Sequence, residues 1–243
     1  MFVLLIIIGF AGNLIGTLAG GGGLITLPTM LLLGMPIHSA IGANKVANTF
    51  STFTNFLIAL RKKELHIKEV SLIVILCLVG GGFGGFIASI FSEQTLTYMA
   101  MTLLLFAFCL SFLKKFQFGD MEILSITPKM KLLLLGVGTY DGMFGPGSGT
   151  LLLYSFAYQK LRYYRAVLYS RICIFATCLG AAIVYIVNGH ILWLETFALL
   201  IGSILGTQVA MLFAPKINAT VAKWLLRCIT VILIGQMAIE IFR

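Results

Sequence analysis

Six stretches of this chain, 39–60, 69–91, 95–115, 164–187, 191–213 and 219–241, stay mostly apolar for about twenty residues each. That is the length an α-helix needs to cross a ~30 Å hydrocarbon layer. Lipid offers no partners for backbone N–H and C=O groups, so a spanning segment must satisfy them itself, and a run of this length does so as a helix. Charged residues make up only 10% of the chain and hydrophobic residues 60%, whereas a soluble domain carries about 25% charged residues. Such a composition cannot cover a globule with polar surface, so lipid must be the outer solvent. No tract reads as a removable signal peptide. Residues 2–8 are apolar but lack a basic start, and the apolar character continues past them.

Two further stretches, 2–34 and 131–159, are too long for one span and are broken by glycine. The breaks are Gly20-Gly21-Gly22-Gly23 and Gly145-Pro146-Gly147-Ser148-Gly149. Each stretch is expected to form a helical hairpin, 2–18 then 24–34, and 132–144 then 150–159. The second arms have about ten residues, or about 15 Å of helix, too short to cross alone.

The 17 Lys and Arg outnumber the 8 Asp and Glu, but they sit mainly in the gaps between apolar runs. They set topology and touch anionic lipid headgroups, and nucleic acid is not an expected partner. Gap 61–68 holds Arg61, Lys62, Lys63 and Lys68; 114–131 holds Lys114, Lys115, Lys129 and Lys131; 160–165 holds Lys160, Arg162 and Arg165; 214–223 holds Lys216 and Lys223. Gaps 35–38, 92–94 and 188–190 hold none. The positive-inside rule places the first group in the cytoplasm and the second outside, with both chain ends outside. Each broken hairpin must then start and finish on one side.

The halves repeat. A shift of 126 places Gly12, Gly16, Gly21 and Gly23 on Gly138, Gly142, Gly147 and Gly149, Ala40 on Ala166, and Lys45 on Arg171. At a shift of 121, Gly81 and Gly85 fall on Gly202 and Gly206. The boundaries read as a first repeat 1–116, a cytoplasmic linker 117–130 and a second repeat 131–243. The first hairpin opens from outside and the second from the cytoplasm, so the repeats are inverted. Inverted repeats with interrupted helices characterise many secondary transporters, with the site near midplane at the repeat interface.

Irregular backbone at membrane depth needs protein or a water-filled cavity around it. The short helices after the two tips start with free N–H groups and a positive dipole end, which favours an anion. The candidate binding residues are therefore Gly20, Gly21, Gly22, Gly23, Gly145, Gly147, Ser148, Gly149 and Thr150. The competing reading is that these glycines only allow helices to pack closely, and it is the preferred one for Gly81, Gly85, Gly202 and Gly206. Lys45 and Arg171 join the candidates, because charges inside spans are rare and face the bundle interior. Each lies about seven residues, or about 10 Å, into its helix. Arg171 suits a trigonal or tetrahedral oxyanion held by two hydrogen bonds, and the neighbours Asn44 and Ser170 add uncharged donors. Alternatively, one cation pairs with Asp141 as a structural ion pair or reaches to an interface. Asp141 balances a cation or carries a coupling proton.

Cys77, Cys109, Cys173, Cys178 and Cys228 lie in apolar runs and form no CxxC pair. They read as small apolar residues. His38, His66 and His190 are scattered, so neither a metal site nor a cofactor is expected. Trp193, Trp224, Tyr98, Tyr163 and Tyr164 fall near span ends, as an aromatic belt does. No feature specifies an oligomeric state.

The tip Gly20-Gly21-Gly22-Gly23 followed by Pro28, the run Ala43-Asn44-Lys45, and above all Tyr140-Asp141-Gly142-Met143-Phe144-Gly145-Pro146-Gly147-Ser148-Gly149-Thr150 resemble the TauE/SafE family of sulfite and sulfonate exporter-like proteins. The resemblance covers nearly the whole chain, including the duplication. It implies a bacterial inner-membrane transporter of small sulfur oxyanions or organic acids, such as sulfite or sulfoacetate. The chain departs from the pattern in having Tyr154 where the first half has Pro28, so the second short arm is expected to be straighter.

The expected function is thus secondary transport of a small anion by alternating access, with the bilayer as its surroundings. Outward export follows the membrane potential without a coupling ion; import would need a proton or sodium. The alternatives are an anion channel and a membrane scaffold or sensor. An enzyme is not expected, since no Cys–His or Ser–His–Asp constellation, metal motif or nucleotide loop is present and no residue reads as catalytic.

Overall fold

The computed structural model describes residues 1–20, 22–62, 64–65, 67–99, 102, 118–214, 224 and 231. Gly21, Lys63, His66, Cys109, Lys114, Lys115, Lys216, Lys223, Cys228, Glu240 and most of the expected spans 95–115 and 219–241 lie outside these residues. The described residues form an all-helical fold with no strand beyond one isolated bridge, Met121 to Leu161. The helices are α1 Phe2–Ala19, α2 Gly23–Leu32, α3 Ile37–Arg61, α4 Ile67–Ile90, α5 Pro128–Met143, α6 Ser148–Tyr158, α7 Tyr163–Val187 and α8 Trp193–Phe213.

Helices α1 to α4 and α5 to α8 run in the same order of long, short, long, long. The first arm of the second hairpin starts earlier than expected, at Pro128. Thr127 caps it by accepting from the Met130 N–H at 3.3 Å, and a proline at the first helical position loses no hydrogen bond. Helix α2 holds Pro28 inside it, whereas α6 holds no proline.

Residues that would face water in a soluble protein are apolar here. On α4, Ile75, Val79, Phe83, Phe86 and Ile90 recur every three or four residues and are each more than half exposed. Leu194, Phe197, Ile201 and Leu205 form a like exposed stripe on α8, continued by Leu212. Meanwhile Asn13, Thr26, Asn44, Thr52, Asn55, Ser203 and Thr207 are buried. Helices α4 (from Val70), α7 and α8 are long and apolar enough to cross a membrane. Helix α3 is as long as α7, but its polar stripe from Asn44 to Asn55 faces the interior. This is a multi-pass membrane protein, apolar toward lipid and polar within.

Close packing replaces the hydrophobic effect between helices in lipid, and the glycines show where. A side chain on Gly202 or Gly206 of α8 would collide with Ile6 or Phe10 carbonyls of α1. One on Gly80 or Gly84 of α4 would meet Leu135 or Thr139 of α5 in the same way. By packing partner, then, Gly80 and Gly84 correspond to Gly202 and Gly206. Gly81 and Gly85 serve a different seam, against Thr177 and Ala181 of α7. The remaining main seams, α3 against α7 and α8, and α4 against α7, complete a pattern that is largely unchanged when the first four helices are exchanged with the last four.

The connections gather at two ends. His38 stacks on His190 with ring centroids 4.6 Å apart, and its Nε2 lies 3.1 Å from the Phe91 carbonyl. The connections without Lys or Arg therefore meet. At the other end, Arg165 donates to the carbonyls of Glu64 and Glu122, and Arg162 pairs with Glu122 at 2.7 Å. Three of the basic connections meet there.

Candidate functional site

Helix α1 ends at Gly20, whose left-handed backbone (φ 84°) turns the chain. Gly147 (φ 83°) makes the matching turn before α6. Both positions suit glycine, since other residues lose about 1–2 kcal/mol there. The two turns bring the hairpin tips into contact. A side chain on Gly149 would collide with the carbonyl of Gly20, and one on Gly20 with the backbone of Gly149 and Thr150. Gly23 rests on Pro146. Pro146 is held in turn by the Tyr140 hydroxyl, which donates to its carbonyl at 2.5 Å. Tyr163, the first residue of α7, donates to the Leu18 carbonyl at 2.6 Å and ties the second half to the first tip.

The contact predicts a graded series. Gly149→Ala adds a clash but no backbone strain and should cost about 1–3 kcal/mol, as overpacking does. Gly20→Ala adds about 1–2 kcal/mol of left-handed strain to a similar clash. Gly34→Ala has the strain (φ 80°) but open space around it, so it should lose only that last term. Thermal melting of detergent-solubilised protein should rank the three with Gly20→Ala lowest and Gly34→Ala near wild type.

Beside the tips lies a cavity of about 30 Å³ lined by Asn13, Gly20, Gly22, Gly23, Asn44, Lys45, Asn48, Asp141, Phe144, Gly145, Ser148, Arg171 and Ile174. It has room for two or three water-sized spheres of about 10–15 Å³ each. Lys45 and Arg171 are each the ninth residue of a 25-residue helix, or about 12 Å past its first residue. Both are buried, at 2% and 4% exposure. Of the expected site residues, the structure thus brings Gly20, Gly22, Gly23, Asn44, Lys45, Gly145, Ser148, Arg171 and Asp141 to one cavity. Gly147 and Gly149 shape the tip behind it. Thr150 and Ser170 are buried but do not line it. Ser170 donates to the Val167 carbonyl at 2.8 Å, back along its own helix. Gly21 lies outside the described residues.

The two cations differ. Lys45 lies 3.4 Å from Asp141 Oδ1 and donates to the Asp141 carbonyl. Gly145 (φ 104°) leaves space for its ammonium, which a side chain there would strike. Asp141 also accepts from Ser148 at 2.5 Å on Oδ1, and from Thr177, with Cys178 Sγ at 3.7 Å, on Oδ2. The donor of Ser148 is therefore spent on Asp141. Among the described residues Arg171 makes one hydrogen bond, from Nη2 to the Gly16 carbonyl at 3.4 Å, and its Nε has no hydrogen-bond partner.

Asn13 and Asn48 were not among the sequence candidates. Asn13 donates to Ser203 at 2.9 Å, and Asn48 donates to the Asn44 side chain, whose amide reaches Thr26 at 2.6 Å. The signal for Asn48 was present: it stands one helical turn beyond Asn44 on α3. Asn13 was readable only as an amide within an apolar helix.

Residues 5–237 match the family model described as Sulfite exporter TauE/SafE. The chain belongs to this family. Curated relatives of this TauE/SafE protein carry names that agree. It is 30% identical to a probable membrane transporter protein of Haemophilus influenzae, over 98% of this chain and 92% of the relative. It is 30% identical to the probable membrane transporter protein ORF9 of Sinorhizobium sp, over 96% and 90%. It is 24% identical to the probable membrane transporter protein YfcA of Escherichia coli K12, over 84% and 77%. No solved structure matches. TauE/SafE membership makes the chain a membrane transporter, with a small substrate and a lipid bilayer as its implied partners.

Proposed function

We propose that this TauE/SafE protein is a secondary carrier for a small oxyanion, a sulfur oxyanion, organosulfonate or small organic acid, and that its cavity is the substrate site. The observation that carries the reading is the tip-to-tip contact of Gly20 with Gly149 beside a cavity lined by buried Lys45 and Arg171. Two short helices begin at these tips, and the first turn of a helix holds N–H groups with no helical partner. Together with the guanidinium they make a concave, electropositive point inside a protein whose outer face is apolar.

The matched helix order and seams support two repeats, 1–116 and 131–243, joined through 117–130. We read them as inverted, with access alternating as one half rocks against the other. The end holding Arg61, Lys62, Lys160, Arg162 and Arg165 is assigned to the cytoplasm of a bacterial inner membrane, and the end holding His38, Glu93 and His190 to the outside, with both termini outside. Asp141 is assigned to charge balance rather than to a coupling proton, since its two oxygens are already occupied by donors.

The test is flux. Protein in liposomes should take up labelled sulfite, short sulfonates or acetate-like anions with saturable, carrier-like turnover. Lys45→Ala and Arg171→Ala should each lose that flux. Intact anion flux in both variants refutes the site assignment, and a large unsaturated conductance would identify a channel instead. Cysteines introduced at Ser125 and at Glu93 should react with an impermeant maleimide from opposite sides of the membrane.

A further inference from the structure

The cavity is lined by three charged side chains among the described residues, and their sum sets what it can hold. Lys45 and Asp141 cancel. The Lys45 ammonium lies 3.4 Å from Asp141 Oδ1, which also meets Ser148, while Oδ2 meets Thr177 and Cys178. Arg171 remains. It is 4% exposed, its one hydrogen bond is long at 3.4 Å, and Nε is unpartnered among the described residues. One carboxylate shared between two buried cations leaves one positive charge in excess, and one anion beside Arg171 balances it.

We propose that the cavity is built for a single negative charge, so that the species carried is a monoanion with an oxyanion head, such as a sulfonate or a small carboxylate, and not a dianion. This rests on the transport reading above. The free Nε and the adjoining Nη2 form one edge of the guanidinium fork and match two oxygens of one oxyanion. A second negative charge finds no balance. Beyond the backbone N–H groups of the two helix starts, the remaining polar lining groups are neutral, and the amides are already partly spent: Asn13 on Ser203, Asn44 on Thr26, Asn48 on Asn44. For inorganic sulfite, the carried form is then the singly protonated one.

Methanesulfonate and sulfate make a direct test, because they share a tetrahedral sulfur and differ by one charge. Liposomes containing the full chain take up labelled methanesulfonate while unlabelled methanesulfonate, acetate or sulfate competes at equal concentration. Unlabelled methanesulfonate should compete at least about tenfold better than sulfate, a ratio equivalent to about 1.4 kcal/mol, and one elementary charge should cross per sulfonate. Asp141→Asn raises the site charge to +2 and should move the ratio at least about tenfold toward sulfate. The wild-type ratio alone decides the matter if that variant does not insert. Equal competition by sulfate overturns the charge rule and leaves transport standing. The absence of saturable flux for any of these anions overturns the transport reading itself.

Discussion

Arg171→Gln is expected to lower anion flux by roughly 30- to 1000-fold while leaving the protein as stable as the wild type or slightly more so. The flux loss corresponds to about 2–4 kcal/mol, the range for removing one partner of a buried charged contact. The stability forecast follows from how little Arg171 does for the empty fold. It makes one long bond to the Gly16 carbonyl and leaves Nε unused among the described residues. Replacing a buried, weakly paired cation by a neutral amide of similar reach therefore loses little packing and removes a desolvation cost. Arg171→Lys keeps the charge but not the planar fork, and should retain more flux than Gln. Liposome flux and detergent melting on the same preparations check both halves. If flux and melting temperature fell together in Arg171→Gln, the guanidinium would be a structural member, and the binding role assigned to it would be lost.

Much of this was legible in one sequence, and the reason is the solvent. Lipid imposes a length on each helix, so the limits of α3, α4, α7 and α8 could be placed within two residues of where they stand. Lipid also forbids irregular backbone except inside the protein, so the glycine runs at 20–23 and 145–149 had to be interior. The numbers of the two cations, 45 and 171, were matched by the same shift that matched the glycines. What could not be read was which cation Asp141 takes. Both were near enough in expectation, and the choice depends on Gly145, whose positive φ opens a place for the Lys45 ammonium. The place of Ser170, buried but outside the cavity lining, has a related reason. A residue next to a cavity-facing one on a helix points about 100° away, and the short Ser170 hydroxyl satisfies itself on Val167. The glycine correspondence in α4 slipped by one because that helix holds glycines at 80, 81, 82, 84 and 85. Sequence offers several registers there, and only the seams with α5 and α7 separate them.

The division of labour between the two cations has its own consequence. If Lys45 and Asp141 hold the first half against the second hairpin, and Arg171 meets the substrate, then site charge and fold stability are set by different residues. A carrier gains from this arrangement, because the substrate-facing cation can be exposed to either side in turn without breaking the pair that joins α3 to α5.

Asp141→Ala should therefore be the most destabilising single change in the site, by about 3–5 kcal/mol, the cost of stripping the partner from a buried charge. Among the described residues it leaves the Lys45 ammonium, 2% exposed, with the backbone carbonyl of residue 141 alone. It also takes the acceptor from the Ser148 hydroxyl, a loss of about 1–3 kcal/mol for a buried polar group, whereas Thr177 keeps the Ile174 carbonyl at 3.1 Å. Removing the charge from both partners should hurt less. In the double variant Lys45→Met with Asp141→Asn no bare ion remains, and the amide oxygen still accepts from a hydroxyl. Melting temperatures of the two single variants and the double variant form a cycle, and the double variant should melt above Asp141→Ala. That rescue would be specific to stability. Flux in the double variant should resemble wild type in its preference for monoanions, because Arg171 still supplies the one unbalanced charge. A double variant that melts below Asp141→Ala would show that the pair is not the source of the stability, and would return Lys45 to the list of groups that meet the substrate.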